Sequence, residues 1–135
     1  MSTRVIVAAA LAFAAFATPA AAGPSVSVKV TSKKGLFTAV VTRPNPLPVE
    51  QLHTWRVRLL NRGHHPVTRA RIKVTGDMPA HGHGLPTEPV AVSRGRGLYE
   101  LQGMMFQMPG LWYVQLQIRA AGRLDTIRIK FTIAE

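Results

Sequence analysis

Cysteine is absent from the 135 residues of this chain. Thiol nucleophiles, disulfide bridges and cysteine-based zinc sites are therefore excluded, and a bound metal could draw only on histidine, methionine or carboxylate ligands. A folded domain of this composition must hold itself together by packing alone.

Acidic residues are also scarce, since six Asp and Glu stand against 17 Lys and Arg and give a formal net charge of +11. No pair of carboxylates suited to general acid–base catalysis is apparent. The serines beyond residue 22 lie in predicted strands or turns without a nucleophile-elbow motif, and no glycine-rich loop precedes a helix that could bind phosphate. We therefore predict a protein that is not an enzyme.

The basic residues alternate with apolar ones instead of forming a run. Arg56 and Arg58 flank Val57, and the same alternation recurs at residues 127–131. On an extended strand such side chains face away from the core, so we interpret most of them as a solvated outer face and expect no nucleic-acid partner. The alternative is a basic surface that meets an acidic partner protein or anionic lipid headgroups.

A long hydrophobic run is missing too, because the apolar segment at residues 5–17 is too short to span a bilayer comfortably. It follows a short basic lead and precedes small residues that end at Ala22, which is the pattern of a signal-peptidase site. We predict a signal peptide at residues 1–22 and a single mature domain at residues 23–135, located in the periplasm or secreted. An uncleaved membrane anchor is the alternative.

Helical periodicity is the last absence, because no window shows a sustained apolar stripe at 3.6-residue spacing. Apolar and polar residues alternate with a period of two, in segments separated by glycine- and proline-containing turns. This pattern predicts an all-β fold, an immunoglobulin-like two-sheet antiparallel β-sandwich of about seven to eight strands. A small closed barrel is the runner-up, and Trp55 and Trp112 are the predicted centre of the core. The predicted strands are 25–31, 36–42, 53–60, 70–75, 89–93, 98–106, 112–118 and 127–133.

One stretch has the composition of a binding site. Residues 78–87 are rich in glycine and proline and carry His81 and His83. Glycine permits backbone angles that are closed to other residues and proline fixes φ, so we predict a shaped loop without regular structure that holds both imidazoles in one orientation. Residues i and i+2 of an extended segment project to the same side, which is a chelating arrangement.

Methionines near this loop narrow the choice of metal. Met78 begins the loop, and Met104, Met105 and Met108 lie near predicted strand ends that can converge on it. Soft thioether and imidazole ligands without a thiolate favour copper, especially copper(I), over calcium, magnesium or a closed structural zinc site. The alternative is that the histidines bond to loop backbone and that Met104, Met105 and Met108 plug the end of the core.

A third histidine, His53, is in phase with Trp55 at the start of a predicted strand. It is either a buried neutral imidazole satisfied by backbone or a further metal ligand, if that strand end lies beside the loop. His64 and His65 fall in a polar turn, where we expect exposure to solvent.

Short motifs spread from His53 to Ile118 form a joint pattern that is more specific than His-Gly-His alone. They are His53-x-Trp55, Gly63-x-x-Pro66-Val67-x-x-Ala70, Met78-Pro79-x-His81-Gly82-His83-Gly84, Gly97-x-Tyr99, Gly103 and Phe106-x-Met108-x-Gly110-x-Trp112. This pattern resembles the YtkA-like domain family and, more distantly, the FixH proteins. The resemblance implies an exported or membrane-tethered β-sandwich found in settings of metal handling and respiratory oxidase maturation. It suggests copper binding through His81, His83, Met78 or Met108.

We therefore expect an exported β-sandwich, without enzymatic activity, that binds copper and passes it to, or shields it from, a periplasmic or membrane-bound partner protein. The candidate ligands are His81, His83, Met78, Met108 and His53. The competing expectation is a protein-interaction or small-ligand-binding module, in which the loop is a rigid epitope or a pocket and no metal takes part. Neither expectation fixes an oligomeric state.

Overall fold

Segments of alternating apolar and polar residues form strands through most of the described chain. The computed structural model describes residues 23–135, so the predicted signal peptide at residues 1–22 lies outside the described residues. The strands are β1 (Ser25–Thr31), β2 (Phe37–Pro44), β3 (His53–Asn61), β4 (Arg71–Met78), β5 (His83–Gly84), β6 (Val90–Gly95), β7 (Leu98–Met104), β8 (Gly110–Ala120) and β9 (Arg123–Ile133). The helical element of this part of the chain is a single 3₁₀ turn, Pro79–His81. No helix between residues 23 and 135 is long and apolar enough to cross a membrane.

The nine strands belong to one sheet with antiparallel pairing, in the order β1-β2-β3-β7-β6-β4-β8-β9, and β5 pairs with β4. The predicted all-β class is confirmed, whereas the immunoglobulin-like arrangement of two sheets is not confirmed. Hydrogen bonding continues from β6 to β4 through one residue pair, Lys73 and Val90, where a sandwich would have a break.

The two outermost strands of this sheet approach each other, so the sheet rolls into a nearly closed barrel. Lys33, just after β1, donates its backbone N–H to the carbonyl oxygen of Thr126 on β9 at 2.9 Å. The architecture is therefore closer to the small closed barrel, the alternative that the sequence pattern allows.

Inward-facing side chains of the strands fill the interior, and aromatic rings occupy its centre. Trp55, Phe106 and Trp112 are fully buried. The ring of Phe106 lies 5.9 Å from that of Trp55 and 5.2 Å from that of Trp112. Burying a side chain the size of phenylalanine contributes about 1.5–3 kcal/mol, so these rings are a large part of the packing energy. The predicted core centre is confirmed, and Arg56 and Arg58 are exposed on the other face of β3 as expected.

A buried carboxylate ties the β1–β2 turn to β9. Asp125 is 2% exposed and accepts hydrogen bonds from Ser32 Oγ (2.6 Å) and from the backbone N–H groups of Lys34 (3.0 Å), Leu36 (3.2 Å) and Thr126 (2.8 Å). Burial alone would raise the pKa of Asp125, but the hydrogen bonds outweigh it and lower the pKa to about 2. The carboxylate is therefore charged at neutral pH and fixes this end of the barrel.

Candidate functional site

The stretch predicted to lack regular structure is a tight β-hairpin. Met78 ends β4, His83 begins β5, and the two residues pair directly across the hairpin. The 3₁₀ turn Pro79–His81 and then Gly82 connect them. The prediction is wrong here because proline suits the first position of a helical turn, where its fixed φ is correct and its missing N–H has no partner to lose.

The two glycines of this hairpin are needed for different reasons. Gly82 has a φ of 64°, in the left-handed region, and its N–H closes the turn on the carbonyl oxygen of Met78 at 3.1 Å. A Cβ on Gly84 would lie 2.9 Å from the carbonyl oxygen of Gly76, so Gly84 lets the two strands approach closely. The predicted role of backbone freedom therefore applies to Gly82, whereas Gly84 acts through its lack of a side chain.

The hairpin brings the two predicted imidazoles together. The ring centroids of His81 and His83 are 5.8 Å apart, and the ring planes are inclined by 36°. His81 is exposed and His83 is half-buried. Nδ1 of His83 lies 3.2 Å from the carbonyl oxygen of Gly84. Because a carbonyl can only accept, this contact places the proton on Nδ1 and leaves Nε2 with a free lone pair, as a metal-binding imidazole needs.

Met78 lies beneath the hairpin instead of on its surface. Its side chain is 2% exposed, and as the direct cross-strand partner of His83 it projects from the same face of the hairpin. The end of the side chain packs on Gly110, where a Cβ would come within 2.5 Å of Met78 Cε. A buried thioether and a half-buried imidazole are therefore neighbours at this end of the barrel.

Trp112 borders both the hairpin and the second predicted thioether ligand. The ring of His83 packs against Trp112 with centroids 5.7 Å apart. Trp112 Nε1 donates a hydrogen bond to the carbonyl oxygen of Met108 at 3.0 Å. Met108 is half-buried and packs against the core, so it shares the indole of Trp112 as a neighbour with His83.

His53 belongs to a row of ring contacts that runs from His83 through Trp112 and Phe106. Its ring packs against Phe106 at 5.6 Å, and Phe106 packs in turn against Trp112. His53 Nδ1 lies 3.0 Å from the carbonyl oxygen of Gln51, and Nε2 is buried without a hydrogen-bond partner. Burial lowers the pKa of His53, and the hydrogen bond to Gln51 opposes that shift. Two aromatic rings stand between His53 and His83 in this row, which favours the buried neutral imidazole over a third ligand.

The predicted ligands near the hairpin are the imidazoles of His81 and His83 and the thioethers of Met78 and Met108. Between residues 23 and 135, no three or more His, Cys, Asp or Glu side chains are grouped so that they could hold a metal ion. A site built from histidine and carboxylate alone is therefore not present in that range. A metal bound here would combine His81 and His83 with methionine, which is a soft donor set.

Gln107 is a member of this site that sequence reasoning missed. Its Nε2 donates to the carbonyl oxygen of Gly84 at 3.3 Å, and its Oε1 is buried without a hydrogen-bond partner. It thereby ties the β7–β8 connection to the end of β5. The sequence carries no signal for this role, because Gln107 occupies the unspecified position between Phe106 and Met108 in the motif.

One cavity of the described domain reaches the hairpin but not its imidazoles. A cavity of about 790 Å³ runs between β4 and β6 and meets the hairpin at Gly84 and Leu85, and none of the predicted ligands lines it. The predicted site is thus an outward-facing hairpin that rests on buried aromatic and thioether groups.

A single antiparallel sheet rolled into a nearly closed barrel, with a His-Gly-His hairpin packed over one end, defines a small all-β domain. The model of the YtkA-like family matches residues 32–117, and the chain belongs to this family. The match includes His53, the hairpin and Met108, so the resemblance drawn from the sequence motifs is confirmed. A search of curated proteins found no match, and a search of solved structures found none either.

Proposed function

We propose that this protein is exported and, without catalysing a reaction, binds copper at the hairpin that carries His81 and His83, passing the metal to a partner protein or shielding it. The observation that supports the proposal is the direct pairing of Met78 with His83, next to the ring of His81 at 5.8 Å. Two imidazoles and a thioether in one hairpin form a soft donor set, which binds copper(I) in preference to harder cations.

The proposed ion lies between the two imidazoles. Imidazole nitrogens sit about 2 Å from a bound first-row metal, so two rings with centroids 5.8 Å apart can share one ion after small side-chain rotations. The buried thioether of Met78 supplies a ligand from below, because methionine has three rotatable bonds and its sulfur can turn while its Cβ stays in place. Met108 is the candidate for a fourth ligand. His53 is left outside the ligand set because Phe106 and Trp112 intervene.

Export is supported by the sequence before the described domain. The apolar run at residues 5–17 followed by small residues up to Ala22 has the features of a cleaved signal peptide. Cleavage there gives a mature protein that starts at Gly23, which the intact mass of protein from the periplasmic fraction would show. A membrane-bound species with the mass of the full chain would contradict both cleavage and a freely diffusing protein.

Copper titration of the purified protein tests the binding proposal. Copper(I) is added without oxygen against a competing chelator, and copper(II) is added in air. His81→Ala is the sharpest variant because His81 is exposed, so its loss should weaken copper binding about tenfold or more without affecting the fold. His65→Ala, an exposed histidine in the β3–β4 connection, is the matched control and should bind as wild type does.

The same titration decides between the two candidate functions. If the wild-type protein binds neither copper ion more tightly than His81→Ala does, the copper proposal fails. His83 needs separate treatment, since its ring packs on Trp112 and its removal costs stability whether or not copper binds. If the wild-type protein has no copper affinity, the result favours the alternative function, an interaction module that uses the exposed hairpin as its contact surface.

A further inference from the structure

A second cavity opens at the end of the barrel opposite the His-Gly-His hairpin. Its volume is about 490 Å³, and it lies between the β1–β2 turn, the β3–β4 connection and the β8–β9 turn. β3 and β8 each begin at the hairpin end and run to this cavity, so the two places are separated by the length of a strand. A volume in the range of about 300–1,000 Å³ is typical of sites for small molecules.

The floor of this cavity is apolar. Leu36, Phe37 and Ala120 line it, and each is buried in the core on its other side. Val67, partly buried, adds a further apolar wall. Such a floor can remove an apolar group of a ligand from water, with a gain of about 25 cal/mol for each Å² buried.

The rim of the cavity is basic and carries no acidic residue. Arg62, Arg69 and Arg123 line it, and no Asp or Glu is among the lining residues. The only salt bridge within residues 23–135, between Arg94 and Glu100, involves none of the three. Three guanidinium groups around an apolar floor, without a carboxylate of their own, complement the charge of an anion that carries an apolar body.

One of these guanidinium groups is already fixed in place. Arg62 Nε donates to the carbonyl oxygen of Gly35 at 3.0 Å, and Nη2 donates to that of Lys34 at 2.9 Å. These bonds hold the planar group across the gap between the β1–β2 turn and the β3–β4 connection. A group that is positioned before the ligand arrives loses less conformational entropy on binding.

The β3–β4 connection that supplies Arg69 is also held firmly. Tyr99 Oη donates to the carbonyl oxygen of Val67 at 2.7 Å and accepts the backbone N–H of Ala70 at 3.0 Å, so it clamps the chain on both sides of Arg69. Tyr99 itself is 2% exposed. The wall of the cavity is therefore built on the core and does not depend on a free loop.

We propose that this cavity binds a small amphiphilic anion, with its charged headgroup between the arginines and its apolar body on Leu36, Phe37 and Ala120. A carboxylate and a phosphate monoester share the required chemistry, because the flat guanidinium fork bonds to two oxygens of either group. This ligand site is separate from the copper proposal and does not depend on it.

Titration calorimetry of the purified protein with sodium decanoate below its micelle concentration tests the proposal. Decyl phosphate tests the other headgroup, decanol removes the charge, and acetate removes the apolar body. We expect decanoate or decyl phosphate to bind at least about tenfold more tightly than both decanol and acetate, because charged hydrogen bonds and apolar burial each contribute. Whichever of the two anions binds more tightly identifies the headgroup.

Paired variants separate a built site from general attraction to a basic protein. Arg69→Gln with Arg123→Gln should weaken binding of the preferred anion about tenfold or more. The matched control, Arg71→Gln with Arg119→Gln, removes the same charge from a cross-strand pair that does not line the cavity, and should stay within about twofold of wild type. All four side chains are exposed, so folding should be preserved, as thermal unfolding will show.

Three results would overturn the proposal. The first is a wild-type protein that binds neither anion below the micelle concentration. The second is equal affinity for decanol and decanoate, which would mean that the arginines do not hold a headgroup. The third is equal weakening in both double variants, which would mean that net charge alone attracts the anion. The comparison of decanoate with decanol needs only the wild-type protein, so it stands even if a variant folds poorly.

Discussion

Met78 and His83 form a direct antiparallel pair across the β4–β5 hairpin, with the thioether buried and the imidazole half-buried. Directly opposed side chains on one face of an antiparallel pair have Cβ atoms about 4.5–5.5 Å apart. The pairing therefore joins the interior of the domain to its surface at one point. A ligand bound to His83 would therefore lie next to the buried side chain of Met78.

Met78→Leu separates the chemistry of the thioether from its packing. Leucine has a similar volume, so we expect stability to change by less than about 1.5 kcal/mol. Copper(I) affinity should fall more than copper(II) affinity, because a thioether prefers the softer ion. Met104→Leu, a fully buried methionine that pairs with His53, is the matched control and should leave both affinities unchanged. Wild-type copper(I) affinity in Met78→Leu would remove Met78 from the ligand set.

Trp112→Ala should destabilise the domain by about 3–5 kcal/mol, since Trp112 is fully buried and contacts both Phe106 and His83. Urea unfolding followed by circular dichroism measures the change. Leu111→Ala, the exposed neighbour on β8, should stay within about 0.5 kcal/mol of wild type. A loss below about 1 kcal/mol for Trp112→Ala would be incompatible with the packing described above.

Gly110→Ala should destabilise the domain more than Gly122→Ala does. Both glycines have positive φ. Gly122, at 71°, is near the left-handed α region, where a residue with a Cβ costs about 1–2 kcal/mol. Gly110, at 124°, lies outside that region, and there the backbone cost alone is about 1–3 kcal/mol. Gly110 adds a steric conflict, because its new Cβ would lie 2.5 Å from Met78 Cε, whereas Gly122 has nothing within 4 Å. Thermal or urea unfolding of the two variants gives the comparison. Equal costs would show that Met78 moves away from Gly110 freely.

Asp125 should make stability depend on pH in the acid range. Its pKa is about 2 in the folded protein against an ordinary value of 3.8, so the folded state binds the proton less readily than the unfolded state. The stabilisation is complete above pH 3.8 and is lost as the pH falls through about 2. Urea unfolding midpoints measured across this range for wild type and Asp125→Asn test the assignment.

The Asp125→Asn protein should be less stable than wild type at neutral pH and should lose less stability on acidification. Asparagine keeps one carbonyl oxygen to accept hydrogen bonds, but it has no charge to attract the donors of the β1–β2 turn. Asp77→Asn, an exposed carboxylate on β4, should stay within about 0.5 kcal/mol of wild type at neutral pH. Parallel acid profiles for wild type and Asp125→Asn would contradict the role given to Asp125.

The strands could be predicted from the sequence because their alternation is local. Trp55 and Trp112 were placed correctly in the core, since the period of two decides which side chains share a face. The order of strands in the sheet could not be predicted, because it depends on pairings between distant segments. Lys73 and Val90 bring β4 and β6 together, and no pattern in either segment indicates that partner.

The sequence predicted which residues form the candidate site, but it did not predict how they are arranged. His81 and His83 were expected to lie together, and they do. The burial of Met78 could not be foreseen, because a stretch interpreted as an irregular loop assigns no face to its residues. The pairing of β5 with β4 places Met78 on the inward face of the hairpin and His83 against the ring of Trp112.

The pairing of Lys73 with Val90 gives the barrel a seam. Each of the other joins along the path from β1 to β9 contains at least five residue pairs, whereas this join contains one. Brief openings of a sheet begin at joins with few residue pairs, so we expect β4 and β6 to separate transiently, with amide exchange faster there than at the other joins along this path. Along the path of strands, His53 lies on one side of this seam and the hairpin with His83 lies on the other. Opening of the seam would then change the position of one histidine relative to the other.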